Sequence, residues 1–195
     1  MILCDNSIRK LVKEQSIIEP FNEENLQSES YDVTIGEKIT VMKKEIHCID
    51  LLNQSSIDTI YDEINLDKSG YVISPKEYLL ISLKEKITVP EGITAHIRNK
   101  TRFVRLGLLI ADQHCNSTYS GHLRLGVFNA TDYPIKIYPG LSIAQIVFET
   151  LDGKPTEEKI YSNKTNASYQ NENGKFIGAK FDDLDLDEMW RKMLK

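Results

Sequence analysis

From Ile93 to Phe148 the chain is a succession of short apolar runs: ITAHIR, LGLLIA, HLRLGVFNA, YPIKIY and LSIAQIVFE. Turn residues interrupt them every ~8–12 positions, which predicts an all-β barrel or sandwich. The same periodicity begins upstream, where Tyr31, Val33 and Ile35 alternate with Asp32, Thr34 and Gly36 and continue at Ile39 and Val41. That is the period of a half-buried strand. Residues 71–83 (YVISPKEYLLISL) read as strand, proline turn, strand, and Pro90-Glu91-Gly92 marks a further turn. Ahead of the strands, residues 5–14 predict a short amphipathic helix with Asp5 as N-cap and Ile8, Leu11 and Val12 on one side. Residues 43–68 are polar and match no element. Residues 152–180 read as an extended arm, and 182–195 as a helix with its acids first and its bases last, suiting the helix dipole. Leu186, Met189, Trp190 and Met193 form one stripe on that helix, expected to pack on the parent domain or on a neighbouring subunit. The organisation is thus one mainly β domain over 1–180 and a C-terminal helix over 181–195.

Composition narrows the function. A length of 195 residues suits one domain with a full core. The net charge of -5 argues against coating nucleic acid or an anionic membrane, both of which need a broad basic surface. No apolar window approaches a membrane span, and no secretory leader is visible. Cys4, Cys48 and Cys115 are scattered and form no C-x-x-C pair, which predicts reduced thiols in the cytoplasm and no cysteine-rich zinc site. Walker, G-x-G-x-x-G and G-x-S-x-G motifs are missing. His47, His96, His114 and His122 show no H-E-x-x-H spacing, and the zinc-deaminase signature is also missing.

Four blocks carry a more specific signal. They are Ser30–Gly36 (SYDVTIG), Asn99–Leu108 (NKTRFVRLGL), Tyr119–Asn129 (YSGHLRLGVFN) and Pro139–Phe148 (PGLSIAQIVF). They resemble the trimeric dCTP deaminase/dUTPase family, in that order along the chain. The opening MIL-D-x-x-I and the late segment Tyr161–Gly174 resemble its deaminase branch. The resemblance implies a dUTPase-like distorted β-barrel, a homotrimer with active sites at subunit interfaces, and a small-molecule nucleotide as ligand, with no nucleic-acid or membrane partner.

Residue by residue, it implies phosphate contacts from Lys100, Thr101, Arg102 and Arg105. With Arg98 these place four cations in eight residues of an acidic chain, a local field suited to a polyanion. Asn116, Tyr119, Gly126, Gln145 and Tyr169 fall at base- or sugar-contacting positions. Three positions depart from the family pattern. Gly126 stands where the deaminases carry the Glu that activates water, and glycine has no group for acid–base work. Asn116 stands where the dUTPases carry an Asp, and an amide is a poor base. Glu172 stands where the deaminase tail has Gln, and an acid there opposes phosphate. Gly126 is also expected to enlarge the pocket. These departures point to a nucleotide-binding or sequestering protein lacking the usual reaction. The alternative is an active dCTP deaminase or dUTP pyrophosphatase in which Asp112 or His114 replaces the lost base and Mg²⁺ accompanies the phosphates, without zinc.

Overall fold

The chain enters through helix α1 (Asp5–Gln15), which lays buried Ile8 and half-buried Leu11 and Val12 on the core. Its N-cap is Cys4, not Asp5. The Asp5 N–H is tied to the Ser28 carbonyl at 2.8 Å, which draws Asp5 into the first turn, where its charge favours the positive end of the helix. The computed structural model describes residues 1–44, 48–165, 167–172, 178–181 and 183–194. His47 and Gly174 lie outside these.

After a short strand β1 (Ile18–Glu19) comes β2 (Tyr31–Met42), the longest strand. Tyr31, Val33, Ile35 and Ile39 are fully buried, as the alternation predicts. The pattern slips at a register shift between Ile35 and Ile39, where β2 passes its neighbour. There the carboxylate of buried Glu85 accepts the Thr34 N–H at 2.9 Å and its hydroxyl at 2.8 Å. The unassigned polar segment contains α2 (Gln54–Asp58) and β3 (Tyr61–Asn65), which pairs with β2. Both faces of β3 are polar or half exposed, so it has no apolar alternation to read.

The strand–turn–strand at Pro75 forms as β4 (Tyr71–Ile73) and β5 (Tyr78–Leu83). There follow β6 (Lys86–Thr88), β7 (Ile93–Asn99), a helical turn α3 (Thr101–Leu106), β8 (Leu108–Ile110), β9 (Gln113–Cys115), β10 (Ser120–Gly121), β11 (Arg124–Asn129), β12 (Ile135–Ile137) and β13 (Ser142–Thr150). The main sheet has the order β8-β11-β5-β2-β13-β7-β9, with β3 added to β2, and it curls into a half-barrel. Neighbouring strands are antiparallel. β1, β6 and β10 make a small second sheet, and β4 pairs with β12 rather than with β5. The buried faces meet in one core that includes Tyr31, Ile81, Leu125, Ile146 and Phe148.

The arm is irregular, with single helical turns at Glu157–Lys159 and Tyr161–Asn163. It returns to the barrel beside β10. The Asn171 N–H donates to the Ser120 carbonyl, and the His122 N–H to the Glu172 carbonyl, both at 2.8 Å. Further on, Gln54 of α2 holds the Ala179 carbonyl at 3.0 Å and the Phe181 N–H at 2.8 Å. The last helix, α4 (Leu186–Met193), is capped by the Asp185 carboxylate. Its stripe of Leu186, Met189, Trp190 and Met193 is 47–73% exposed, so it is not packed on the barrel. Among the described residues no helix is long and apolar enough to cross a membrane.

Candidate active site

Residues of β3, β5, β9 and β11 and of the returning arm line a cavity of about 600 Å³. Asp112, His114, Asn116, Tyr119 and Tyr169, all singled out in the sequence, line it together. Their placement follows from strand geometry. Pairing with β7 sets His114 opposite His96 and Cys115 opposite Ala95. Alternation then buries Cys115 and turns His114 outward, where its ring lies 5.0 Å from that of His96. Burial pushes the Cys115 thiol up to about 12, so it stays protonated. Asp112 is half exposed at the rim. It accepts from Asn99 Nδ2 at 3.0 Å and pairs with Arg98 Nη1 at 3.6 Å.

Deeper in the cavity stand groups the sequence reading did not assign. Arg124 is 8% exposed. Its guanidinium donates to Thr40 Oγ1 and to Glu63 Oε2, both at 3.1 Å, and Glu63 is joined in turn by Lys38 at 2.6 Å. Burial raises the Glu63 carboxyl, but the bonds from Lys38 and Arg124 outweigh it and hold the group below its usual range. Tyr61 and Tyr78 complete this side of the lining, and burial raises the titration of both phenols, which therefore keep their protons.

Glu172 closes the cavity from the arm. It is 7% exposed, and Tyr119 donates its hydroxyl to Oε2 at 3.3 Å. Burial pushes the carboxyl up to about 7, against the opposing pull of the Tyr119 bond and of Arg124. Tyr119 is itself raised strongly, first by burial and then by the Glu172 charge. Gly121 makes this approach feasible. A Cβ there would lie 2.7 Å from the Tyr119 hydroxyl and 2.9 Å from the Glu172 nitrogen.

Gly126 does not enlarge the cavity, contrary to the sequence expectation. It is buried in β11, and a Cβ at this position would lie 2.3 Å from the Tyr78 hydroxyl and 2.9 Å from its Cζ. The phenol of the neighbouring strand occupies the volume that glycine leaves. The register that pairs Gly126 with Leu80 brings Tyr78 into reach from two residues away. Sequence spacing carries no sign of such a cross-strand filling. Arg124 did leave a trace, as a charge within the apolar run LRLGVF.

The cationic run forms a second cavity of about 500 Å³, lined by Asn99, Lys100, Thr101, Arg102, Arg105 and Gln145. Gln145 therefore sits with the cations and not with Tyr119. Lys100 is already engaged, by Asp32 at 2.5 Å and Ser142 Oγ at 2.9 Å. Arg102 and Arg105 are exposed on α3 and bond to no other side chain among the described residues. The two cavities share no lining residue.

Comparison with known proteins gives a consistent picture. The family described as "DCD: dCTP deaminase-like" matches residues 2–151. A "dCTP deaminase, dUMP-forming" from Sulfurihydrogenibium sp. (strain YO3AOP1) is 32% identical over 95% of this chain and 100% of its own length. A protein of the same name from Nanoarchaeum equitans is 29% identical over the whole of both chains. Among solved structures, a 2'-deoxycytidine 5'-triphosphate deaminase from Agrobacterium tumefaciens superposes with a TM-score of 0.63 at 21% identity, over 77% of this chain and 48% of that one. That likeness concerns the fold, and this chain spans about half the length of that structure.

Proposed function

The chain belongs to the dCTP deaminase-like family, and on that premise we propose that it hydrolyses dCTP to dUMP, ammonia and pyrophosphate. The observation that carries this reading is the presence of an acid-bearing, tyrosine-lined cavity and an exposed arginine pair on one chain whose relatives over their full length are named for that reaction. The base and sugar occupy the first cavity, within reach of Asn116, Tyr119 and Tyr169. The phosphates lie on Thr101, Arg102 and Arg105, with Gln145 beside them. Lys100, held by Asp32, acts through the shape and field of that turn more than by direct contact. The cavities are separate on one chain, so a homotrimer would bring the arginine turn of one copy to the acid cavity of the next. Mg²⁺ enters chelated by the triphosphate and offsets its charge. Asp112 and His114 lie at the rim, where either can meet the water or the leaving group.

One observation favours a second reading, a nucleotide binder without turnover: Tyr78 fills the space beside Gly126. A single incubation separates the two. The protein is mixed with dCTP, dUTP and Mg²⁺, and free and bound nucleotides are quantified by mass spectrometry. Loss of dCTP with gain of dUMP supports the enzyme. An unchanged pool with nucleotide retained on the protein supports the binder. Sedimentation in the same buffer tests the trimer.

A further inference from the structure

A buried carboxylate is costly unless it is paired, and the fold takes care to keep one in the cavity. Among the described residues, Glu172 receives its one side-chain hydrogen bond from Tyr119. The backbone leading to it is tied to the barrel. Asn171 and Glu172 bond to Ser120 and His122, and the Gln170 amide bonds to Ser120 N and Thr118 O. Gly121 supplies the clearance. The two other acid–base candidates are less well placed. Asp112 is exposed and tied to Asn99 and Arg98, and the His114 ring packs on His96.

We propose that Glu172, delivered by the C-terminal arm, is the proton-shuttling group of this cavity and does the acid–base work for which position 126 has no side chain. This assignment rests on the deaminase reading above. The Glu172 carboxylate takes a proton from water as the water oxygen bonds to C4 of the cytosine ring, and it passes that proton to N3. The carboxylate then takes the proton of the new C4 hydroxyl and hands it to the amino group. The C4–N bond breaks with its electron pair on nitrogen, ammonia leaves, and C4 becomes a carbonyl. One water is consumed and one ammonia released, with no change of oxidation state.

The surroundings suit a group that must both accept and return protons. Tyr119 donates to it, Tyr161 and Cys115 share the cavity lining as neutral groups, the charge of Arg124 acts on it, and Asp112 and His114 stand at the rim. Burial leaves the carboxyl near 7, where both forms are populated at neutral pH.

The test compares wild type, Glu172→Gln, Glu172→Asp and Tyr119→Phe, each checked for folding by circular dichroism. Deamination of dCTP is followed by ammonia release from pH 5.5 to 9, and dCTP binding by calorimetry. Glu172→Gln is expected to lower kcat by about 100-fold or more with dCTP affinity within about threefold, and to lose the acid limb of the wild-type profile. Glu172→Asp keeps part of the rate and the limb. Tyr119→Phe removes a bond that favours the carboxylate, so its limb moves to higher pH; should Glu172→Gln not fold, this shift carries the test. A Glu172→Gln protein that turns over at the wild-type rate, or a limb unmoved by Tyr119→Phe, overturns the assignment and leaves the deaminase reading standing. Wild-type protein that forms no product from dCTP overturns both.

Discussion

Replacing Glu172 by Gln should stabilise the protein in alkaline solution and leave it almost unchanged in acid. The magnitude follows from burial. The carboxyl is moved from an ordinary value of 4.5 to about 7 in the folded chain, chiefly because its charged form is desolvated. The native state therefore holds this proton more tightly than the unfolded chain does. The stability that Glu172 contributes is fully present below pH 4.5 and is lost as pH rises through about 7. At ~1.4 kcal/mol per pH unit the full loss is ~3 kcal/mol, of which ~2.5 kcal/mol falls between pH 5 and 8. Glutamine is neutral throughout and can still accept the Tyr119 hydroxyl, so the variant escapes that loss. Urea unfolding at pH 5, 6, 7 and 8 measures it, with the variant-minus-wild-type difference cancelling every other titrating group. Circular dichroism is the right probe, because the single tryptophan, Trp190, lies half exposed on α4 and reports poorly on the barrel. A difference that stays flat within ~0.5 kcal/mol from pH 5 to 8 refutes the argument that burial controls this carboxyl.

Three further outcomes are expected. Gly126→Ala drives a Cβ into Tyr78 and should cost ~1–3 kcal/mol. In a Tyr78→Phe background the cost should fall by ~1 kcal/mol in a double-mutant cycle, and strict additivity would show that the two residues do not compete for the same space. Arg105→Ala should leave urea stability within ~0.5 kcal/mol, since the side chain is exposed and unpaired among the described residues. The same variant should weaken nucleotide binding about tenfold or more, and unchanged affinity removes Arg105 from the phosphate site. Asn129 is fully buried, donates to the carbonyls of Ile73, Ser74 and Tyr133, and accepts from Thr131 N and Oγ1. Asn129→Ala should therefore cost ~3 kcal/mol or more in urea unfolding, because it strands polar groups on two segments, 73–74 and 131–133.

The strands of the barrel were legible because their apolar residues recur with period two, and β2, β5, β7, β11 and β13 fall where that alternation lies. β3 was hidden because neither of its faces is apolar. The pairing of β4 with β12 was hidden because register between distant segments leaves no mark on either one. At the site, the cationic run around Arg102 and Arg105 could be read from the sequence directly, while Asp112, Asn116 and Tyr119 were placed together only by the resemblance to the family. What each group can do could not be read. Lys100 is one of the four cations of the run 98–105, yet Asp32, sixty-eight residues away, holds it.

The sequence by itself determined a mainly β chain and the family it resembles, since periodicity and motif order are local properties. Only the tertiary structure decided that Tyr78 occupies the room left by Gly126, and that the arm carries Glu172 into the same cavity as Tyr119 and Arg124. Exclusion of volume and loss of hydration depend on which atoms of distant segments come together, and those contacts are made when the barrel closes and the arm folds back on it.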